Sequence, residues 1–337
     1  MKDKKGGKVP VKEAPARAGK KTKAKRISME EHWKPRTTKA PALARDVNAA
    51  VMPHAVAGLS DFERRFPLMD ESGIAMQVLA PAGIPLFENK KEAVALTRQI
   101  NDDLAEIIRK YSGRIAGYAT LPIEDPKASA RELERAVTRL GFKAAMVCGA
   151  TKGEYLDEKK FWPIWEKAEE LGVPIYVHPF DPPEENIKLY KGHPELMGPG
   201  WSWTVDTASH ALRVIGAGVF DAFPKSILIL GHMGETLPYL LGRLDEGYTM
   251  AHKTRKLKRL LSEYIRENII VTTSGRYRPE TLVCAISAMG IDRVLFAVDY
   301  PFVAPKDAVD QIESAPISDA DKEKIYHLNA KKWLKLQ

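Results

Sequence analysis

At 337 residues, with 44% hydrophobic and 28% charged side chains, the chain has the size and balance of one large α/β domain or two small ones. No apolar run approaches the roughly 20 residues that a membrane span requires, so no membrane association is expected. The formal charge of +8 is uneven: the first 26 residues hold 11 Lys/Arg against 2 Asp/Glu, and the remainder hold 41 against 42. The basic character therefore belongs to an N-terminal arm and says nothing about the folded part.

That arm, residues 1–25, is rich in Lys, Arg, Gly, Pro and Ala and has too few large apolar residues to offset its ordering entropy. It reads as disordered. A basic arm can touch nucleic acid, but an inert, solvated extension is the simpler reading, and no nucleic-acid partner is expected. It lacks the apolar core of a signal peptide, and Asp3 and Glu13 disfavour a transit peptide. Two cysteines, Cys148 and Cys284, neither in a CxxC pair, suggest reduced thiols and a cytoplasmic protein.

Residues 26–337 read as one domain. Arg26–Met29 is a short apolar-alternating strand that delivers Glu30 and His32 at its end. Alternation puts those two on one face and Glu31 on the other. Lys34 to Leu59 holds Pro35, Pro41 and Pro53 without periodicity, which suggests a long loop and a possible lid. Asp61 to Ser72 reads as a short helix ending at Gly73. Met76–Ala80 is a strand, Lys91–Tyr111 a long amphipathic helix, and Ile115–Leu121 the third strand. Lys127–Leu140 is helical, with Gly141 placed for a left-handed cap.

Lys143–Cys148 is the fourth strand, Glu158–Leu171 a helix closed by Gly172, and Val173–His178 the fifth strand. A Pro/Gly-rich loop, Asp181–Gly200, precedes a helix over Thr204–Phe223. Ser226–Leu230, Asn268–Thr273 and Arg293–Val298 are strands six to eight. Helices over Leu237–Thr254, Pro279–Met289 and Asp319–Leu334 complete the pattern. Eight short strands, each followed by helix, is the pattern of a (β/α)8 TIM barrel. The competing doubly wound sheet lacks its GxGxxG fingerprint.

In such barrels the site lies at the C-terminal strand ends. Those ends read Glu30 and His32, Ala80-Pro81, Leu121-Pro122, Cys148, His178, His232, Ser274 and Asp299. Strands two to four end without ionisable groups, while strands one, five, six and eight supply them. A lone His at a strand end is more often structural, but several in register point to a metal. Glu30, His32, His178 and Asp299 suit one Zn²⁺ or Mn²⁺ with positions left open, and the residue types do not choose between the two.

His232 is a candidate acid/base that Glu235 can orient. Arg243 reads either as a contact to an anionic substrate or as a surface ion pair with Asp245 or Glu246. His210 reads as a packing residue inside a helix, and His193, His252 and His327 as surface residues; His54, in the possible lid, stays open. Trp201 and Trp203 either wall an aromatic pocket or anchor the loop.

From about residue 26 onward the chain resembles the amidohydrolase-related metal-dependent decarboxylases. This is the group of γ-resorcylate, 2,3-dihydroxybenzoate and 5-carboxyvanillate decarboxylases, with aminocarboxymuconate-semialdehyde decarboxylase more distant. Met29-Glu-Glu-His32, Leu68-Met-Asp-Glu-Ser-Gly-Ile74, Gly117-Tyr-Ala-Thr-Leu-Pro122 and Val173-Pro-Ile-Tyr-Val-His-Pro179 carry the resemblance. So do Thr207-Ala-Ser-His-Ala-Leu-Arg213, Ile229-Leu-Gly-His-Met-Gly-Glu-Thr-Leu-Pro238 and Phe296-Ala-Val-Asp-Tyr-Pro301.

The resemblance implies that Glu30, His32, His178 and Asp299 are metal ligands, His232 with Glu235 an acid/base pair, and Arg243 a substrate contact. It also implies a family-like proton donor at Asp299, protonated either by moving away from the ion or by relay from His232, and the sequence does not choose between the two routes. The implied activity is non-oxidative decarboxylation of a hydroxyaromatic or related unsaturated acid by a homodimer or homotetramer. The rival is a metal-dependent hydrolase or hydratase of an unsaturated or lactone acid. Strand one carries Glu-x-His instead of His-x-His and strand four ends without lysine, which disfavours a two-metal hydrolase. Cys148 stands where the dihydroxybenzoate enzymes often carry asparagine.

Overall fold

Eight parallel strands lie side by side in sequence order, β1 Arg26–Trp33, β2 Ile74–Pro81, β3 Ile115–Thr120, β4 Ala144–Cys148, β5 Ile175–His178, β6 Leu228–Leu230, β7 Ile269–Thr272 and β8 Val294–Leu295. The computed structural model describes residues 25–36, 53–83, 87, 89–251 and 257–336. The arm up to residue 24, residues 37–52 of the expected lid and His252 lie outside them, as does the side chain of His54. Among the described residues no helix is long and apolar enough to cross a membrane.

The last strand returns to the first. Met29 N–H donates to the Phe296 carbonyl at 2.9 Å, Asp299 N–H to Glu30 at 2.9 Å and His32 N–H to Tyr300 at 2.8 Å. Sequential order with such a seam is a barrel, not a doubly wound sheet.

Strand alternation sorts the core into two layers. Met29, Val78, Tyr118, Met146, Tyr176, Ile229, Ile270 and Leu295 fill the interior. Their neighbours Leu79, Ala119, Val147, Val177, Leu230 and Val271 face the surrounding helices. His178 has the parity of Tyr176, so it points inward at the mouth. In β1 the register shifts between Ser28 and Glu31. This bulge turns Glu30 and His32 onto the inner face although Met29 already occupies it.

Helix ends follow local chemistry. Asn89 and Asp125 cap Lys90–Lys110 and Pro126–Leu140 by accepting from Glu92 and Ala128 N–H groups. Gly141 at φ 76° and Gly172 at φ 62° supply the left-handed exits expected of them. The helix expected over Thr204–Phe223 is two pieces, Ser202–Gly216 and Val219–Ala222, because Gly218 at φ 79° breaks it. The terminal helix contains a π turn over Lys324–Leu328. Helices Leu261–Asn268 and Pro305–Glu313 were not individually anticipated.

β8 is shorter than its expected Arg293–Val298. Past Leu295 the regular pairing with β7 ends; the carbonyls of Phe296 and Tyr300 and the N–H of Asp299 still bond to β1, while the other N–H groups turn to side chains and a distant helix. Ala297 N–H donates to Thr273 Oγ1, Val298 and Tyr300 N–H to the Glu31 carboxylate, and Phe296 N–H to Ile325. Asp299, at φ 74°, then turns its side chain into the barrel mouth.

Candidate active site and metal centre

Glu30 and His32 from β1, His178 from β5 and Asp299 beyond β8 each offer one ligand atom, all within 4.8 Å of one another. Glu30 is fully buried and His32 nearly so. His178 Nε2 approaches Glu30 Oε1 at 3.2 Å, and His32 Nε2 approaches Asp299 Oδ1 at 3.2 Å. Glu30 Oε1 and His32 Nε2 nonetheless have no hydrogen-bond partner.

Buried polar atoms that converge without bonding each other form a ligand set for a cation. His178 Nδ1 lies 2.7 Å from the Pro179 carbonyl, so Nδ1 carries the proton and Nε2 is free to ligate. The donor set of two imidazoles and two carboxylates fits one divalent ion.

His232 completes the floor. Its Nε2 is 3.6 Å from Glu30 and 3.9 Å from Asp299, and its Nδ1 is 2.8 Å from Glu235. Burial works against a charged imidazole here, but Glu30, Glu235 and Asp299 outweigh it and raise the His232 pKa well above its ordinary value. Burial likewise opposes the positive form of His178, yet Cys148 and Glu30 hold its pKa up at about 10. For Glu30, burial is overcome by His232, His178 and His32, which hold its carboxyl far below the usual range. Asp299 is also lowered, against burial, by His232 and His32. Among the protein's own groups, His178 and His232 thus supply positive charge that the carboxylates attract.

The backbone is bent to this purpose. His232, Met233, Gly234, Glu235 and Thr236 all have positive φ, from 52° to 78°. Such conformations cost non-glycine residues energy and persist where surrounding packing imposes them. The run lets Nδ1 of His232 meet Glu235 three residues on. Gly231 is required for space, since a Cβ there would sit 2.8 Å from both Glu30 Oε2 and Tyr176 Oη.

Several supporting residues had no role in the sequence reading. Tyr176 donates to Glu30 Oε2, and its hydroxyl continues through Thr272 and Ser274, each step 3.0 Å, to the His232 N–H. Parity was the available signal for Tyr176, two residues before His178. On the other face of β1, Glu31 accepts from Gln77 and from the Tyr300 N–H. Burial pushes its carboxyl up to about 8 against the pull of Ser28, Arg65 and Tyr300. Arg65 is 1% exposed and donates to the His32 carbonyl at 2.5 Å and to Gln77 at 3.0 Å. No periodicity marks an arginine whose helix turns it inward.

A cavity of about 1030 Å³ opens above the ligands, walled by Phe180, Trp201, Trp203, Tyr239, Tyr277 and Phe302. Both tryptophans wall it, and Trp203 also anchors the loop through Asp181 at 2.9 Å. Arg243, expected as a substrate contact, is 75% exposed, paired with Glu246 at 2.6 Å, and absent from the cavity wall. Its position on the outer face of Leu237–Ala251 keeps it from the mouth of its own barrel. His210 is a buried packing residue that accepts from Leu156 N–H, while His193 is exposed beside Glu195. His327 is half-buried against the Glu323 carbonyl, less exposed than expected.

The amidohydrolase family profile matches residues 46–336. The chain belongs to the amidohydrolase family. This amidohydrolase is 40% identical to a γ-resorcylate decarboxylase of a Polaromonas species, over 92% of this chain and 98% of that protein. A dihydroxybenzoic acid decarboxylase from Polaromonas, solved with bound manganese and 2-nitroresorcinol, superposes with TM-score 0.84 at 38% identity, covering 93% of this chain and 97% of that one. The 5-carboxyvanillate decarboxylase of Novosphingobium aromaticivorans, solved with manganese and 4-hydroxy-3-methoxy-5-nitrobenzoic acid, gives TM-score 0.85 at 32% identity, covering 92% and 96%.

Two outcomes follow. Replacing Arg65 with Met frees the His32 carbonyl and should weaken Mn²⁺ affinity about 10–100-fold by equilibrium dialysis, with circular dichroism retained. Gln77→Leu should give a smaller loss of the same sign; unchanged affinity in both refutes the link. Burial depresses His210 to about 3, with a smaller push from Arg213. A neutral buried His contributes stability that is complete above its unfolded value near 6.5 and lost as pH falls toward 3. His210→Gln keeps an acceptor for Leu156 and cannot titrate. The fall in urea midpoint between pH 7.5 and pH 5 should therefore shrink in the variant.

Proposed function

We propose that the chain is a metal-dependent, non-oxidative decarboxylase of an aromatic acid with a hydroxyl ortho to its carboxylate. The observation that carries this reading is the Glu-His-His-Asp cluster, two of its members buried and two half-buried, with His232 beside it, on the floor of an aromatic-walled cavity. The relatives described above, decarboxylases of hydroxylated aromatic acids by name, support it. Strand four ends in Cys148, not in a lysine that bridges two metals, which supports a mononuclear centre over the hydrolytic alternative.

Glu30, His32, His178 and Asp299 would hold the ion, zinc or manganese. When bound, it would supply Lewis-acid polarisation of the substrate carboxylate and the neighbouring phenol oxygen. The cavity walls hold the ring flat over the ligands. The proton goes to the ring carbon that bears the carboxylate, the pair of the breaking C–C bond returns to the ring, and CO₂ leaves.

Asp299 is the assigned donor. Its carboxyl is held low by His232 and His32, so it must first take up a proton, and His232 at 3.9 Å is placed to hand one over. Glu235 fixes the orientation of the His232 ring.

Hydroxybenzoates should release CO₂, and turnover in D₂O should place one deuterium at the carbon that lost it. Asp299→Asn should lower kcat by about 10²–10⁴, with substrate still bound. Elemental analysis should find one divalent ion per chain, and His178→Ala should lose occupancy and turnover together. Solvent ¹⁸O in the organic product with no CO₂ released would sink the assignment.

We further read the protein as a cytoplasmic homodimer or homotetramer. The free thiols Cys148 and Cys284 support the compartment. Tyr239, Arg243, Glu246 and Met250 form one stripe on Leu237–Ala251, and Tyr239 and Met250 are 81% and 69% exposed. Two large apolar side chains left bare on either side of the Arg243–Glu246 ion pair suit an interface. Arg243 can then contact substrate only at the mouth of a neighbouring copy. Mixing inactive Arg243→Ala with inactive Asp299→Asn should restore part of the activity through hybrid assemblies; a fully active monomer in sedimentation refutes this arrangement.

A further inference from the structure

The apolar ends of β2, β3 and β4 enclose a second, smaller pocket of about 100 Å³. Its inner wall is Ala80, Leu121, Met146 and Cys148, between 1% and 6% exposed. Its polar side chains, Thr120, Glu124, Thr151 and Lys152, are all half-buried or exposed, so its inner end is apolar and its outer end wet. Gly83 and Phe180 line both this pocket and the large cavity. The pocket also lies against the metal-binding histidines: Cys148 pairs in register with His178, and Ala80 with His32.

Size and polarity choose the occupant. An apolar cavity of about 150 Å³ takes a benzene, so this pocket is too small for a hydroxylated aromatic acid. It exceeds the roughly 10–15 Å³ that one water needs, yet its inner end offers water few partners. A small, linear molecule without net dipole suits it.

We propose that this side pocket receives CO₂ as it leaves the ring and passes it to solvent past Thr151 and Lys152. The proposal rests on the decarboxylase reading, which makes CO₂ the product formed beside His32 and His178. By microscopic reversibility the same pocket takes CO₂ in the carboxylation direction. Strands two to four thus end in apolar residues because they face the departing gas, while the other strands hold the ion and the acid.

The test uses the full, metal-loaded chain, with whichever hydroxybenzoate the wild type decarboxylates and the phenol it yields. Ala150→Leu fills the pocket from its loop and touches no ligand. It should raise KM for CO₂ in carboxylation at least about fivefold, while KM for the aromatic acid and the phenol stay within about twofold. Because the equilibrium constant is fixed, the ratio of decarboxylation to carboxylation kcat must fall by the same factor.

Xenon, a probe of apolar cavities, should compete with CO₂ on the wild type, and this arm decides the matter if Ala150→Leu fails to fold. An unchanged KM for CO₂ with no competition by xenon overturns the proposal. A raised KM for the aromatic acid in its place would assign the pocket to a ring substituent and overturn it equally. A wild type that decarboxylates nothing in the panel sinks the decarboxylase reading itself, which is a separate result.

Discussion

The Glu30 carboxylate has no exposure to solvent, and a charge so placed is intolerable without positive partners and donors. One oxygen is satisfied by Tyr176 and Thr272, the other is left facing the mouth. His178, His232 and His32 gather around that open oxygen, and the raised pKa values of His178 and His232 mark how strongly the carboxylate attracts positive charge. A divalent cation supplies that charge directly, which is why the cluster reads as a metal site and not as a buried salt bridge. Asp299 joins on the same terms, balanced by two of the same imidazoles.

Holding four such groups in register strains the backbone. The left-handed run from His232 to Thr236 and the left-handed Asp299 follow strands six and eight, at the mouth of the barrel. A glycine at 231 allows the chain to pass against Glu30 and Tyr176. Behind them the Glu31, Gln77 and Arg65 network fixes the outer face of β1, so that bending on the inner face does not relax. The rigidity of the site is thus built on side chains that lie outside the cavity wall.

Much of this was legible because barrel chemistry is periodic. Strand ends could be read off apolar runs, and the ionisable groups at ends one, five, six and eight do converge. What escaped was whatever depends on register or on a helix's rotation. The bulge between Ser28 and Glu31 has no residue signature, and β8 loses its regular pairing with β7 after Leu295, where N–H groups turn to Thr273, Glu31 and a remote helix while the β1 side stays bonded. Arg243 left two readings open in the sequence, a substrate contact or a surface ion pair, because residue type does not say which side of a helix faces the barrel; within its own chain it makes the ion pair with Glu246. Arg65 is the opposite case, an inward arginine on a helix with an ordinary exposed pattern.

The seam between first and last strands has a meaning for how the protein is made. Glu31 and Tyr300, bonded across it, are 269 residues apart, so nearly the whole chain must be threaded before they meet. Contacts of such long sequence separation form late, after the loop entropy has been met by local hairpins of strand and helix. Three of the four ligands stand on this seam. A nascent or half-folded barrel therefore owns His178 and little else to grip an ion, and the centre matures only on the last closure. Once seated, the ion clasps the two ends of the polypeptide together, and the reaction centre doubles as the fastener of the fold.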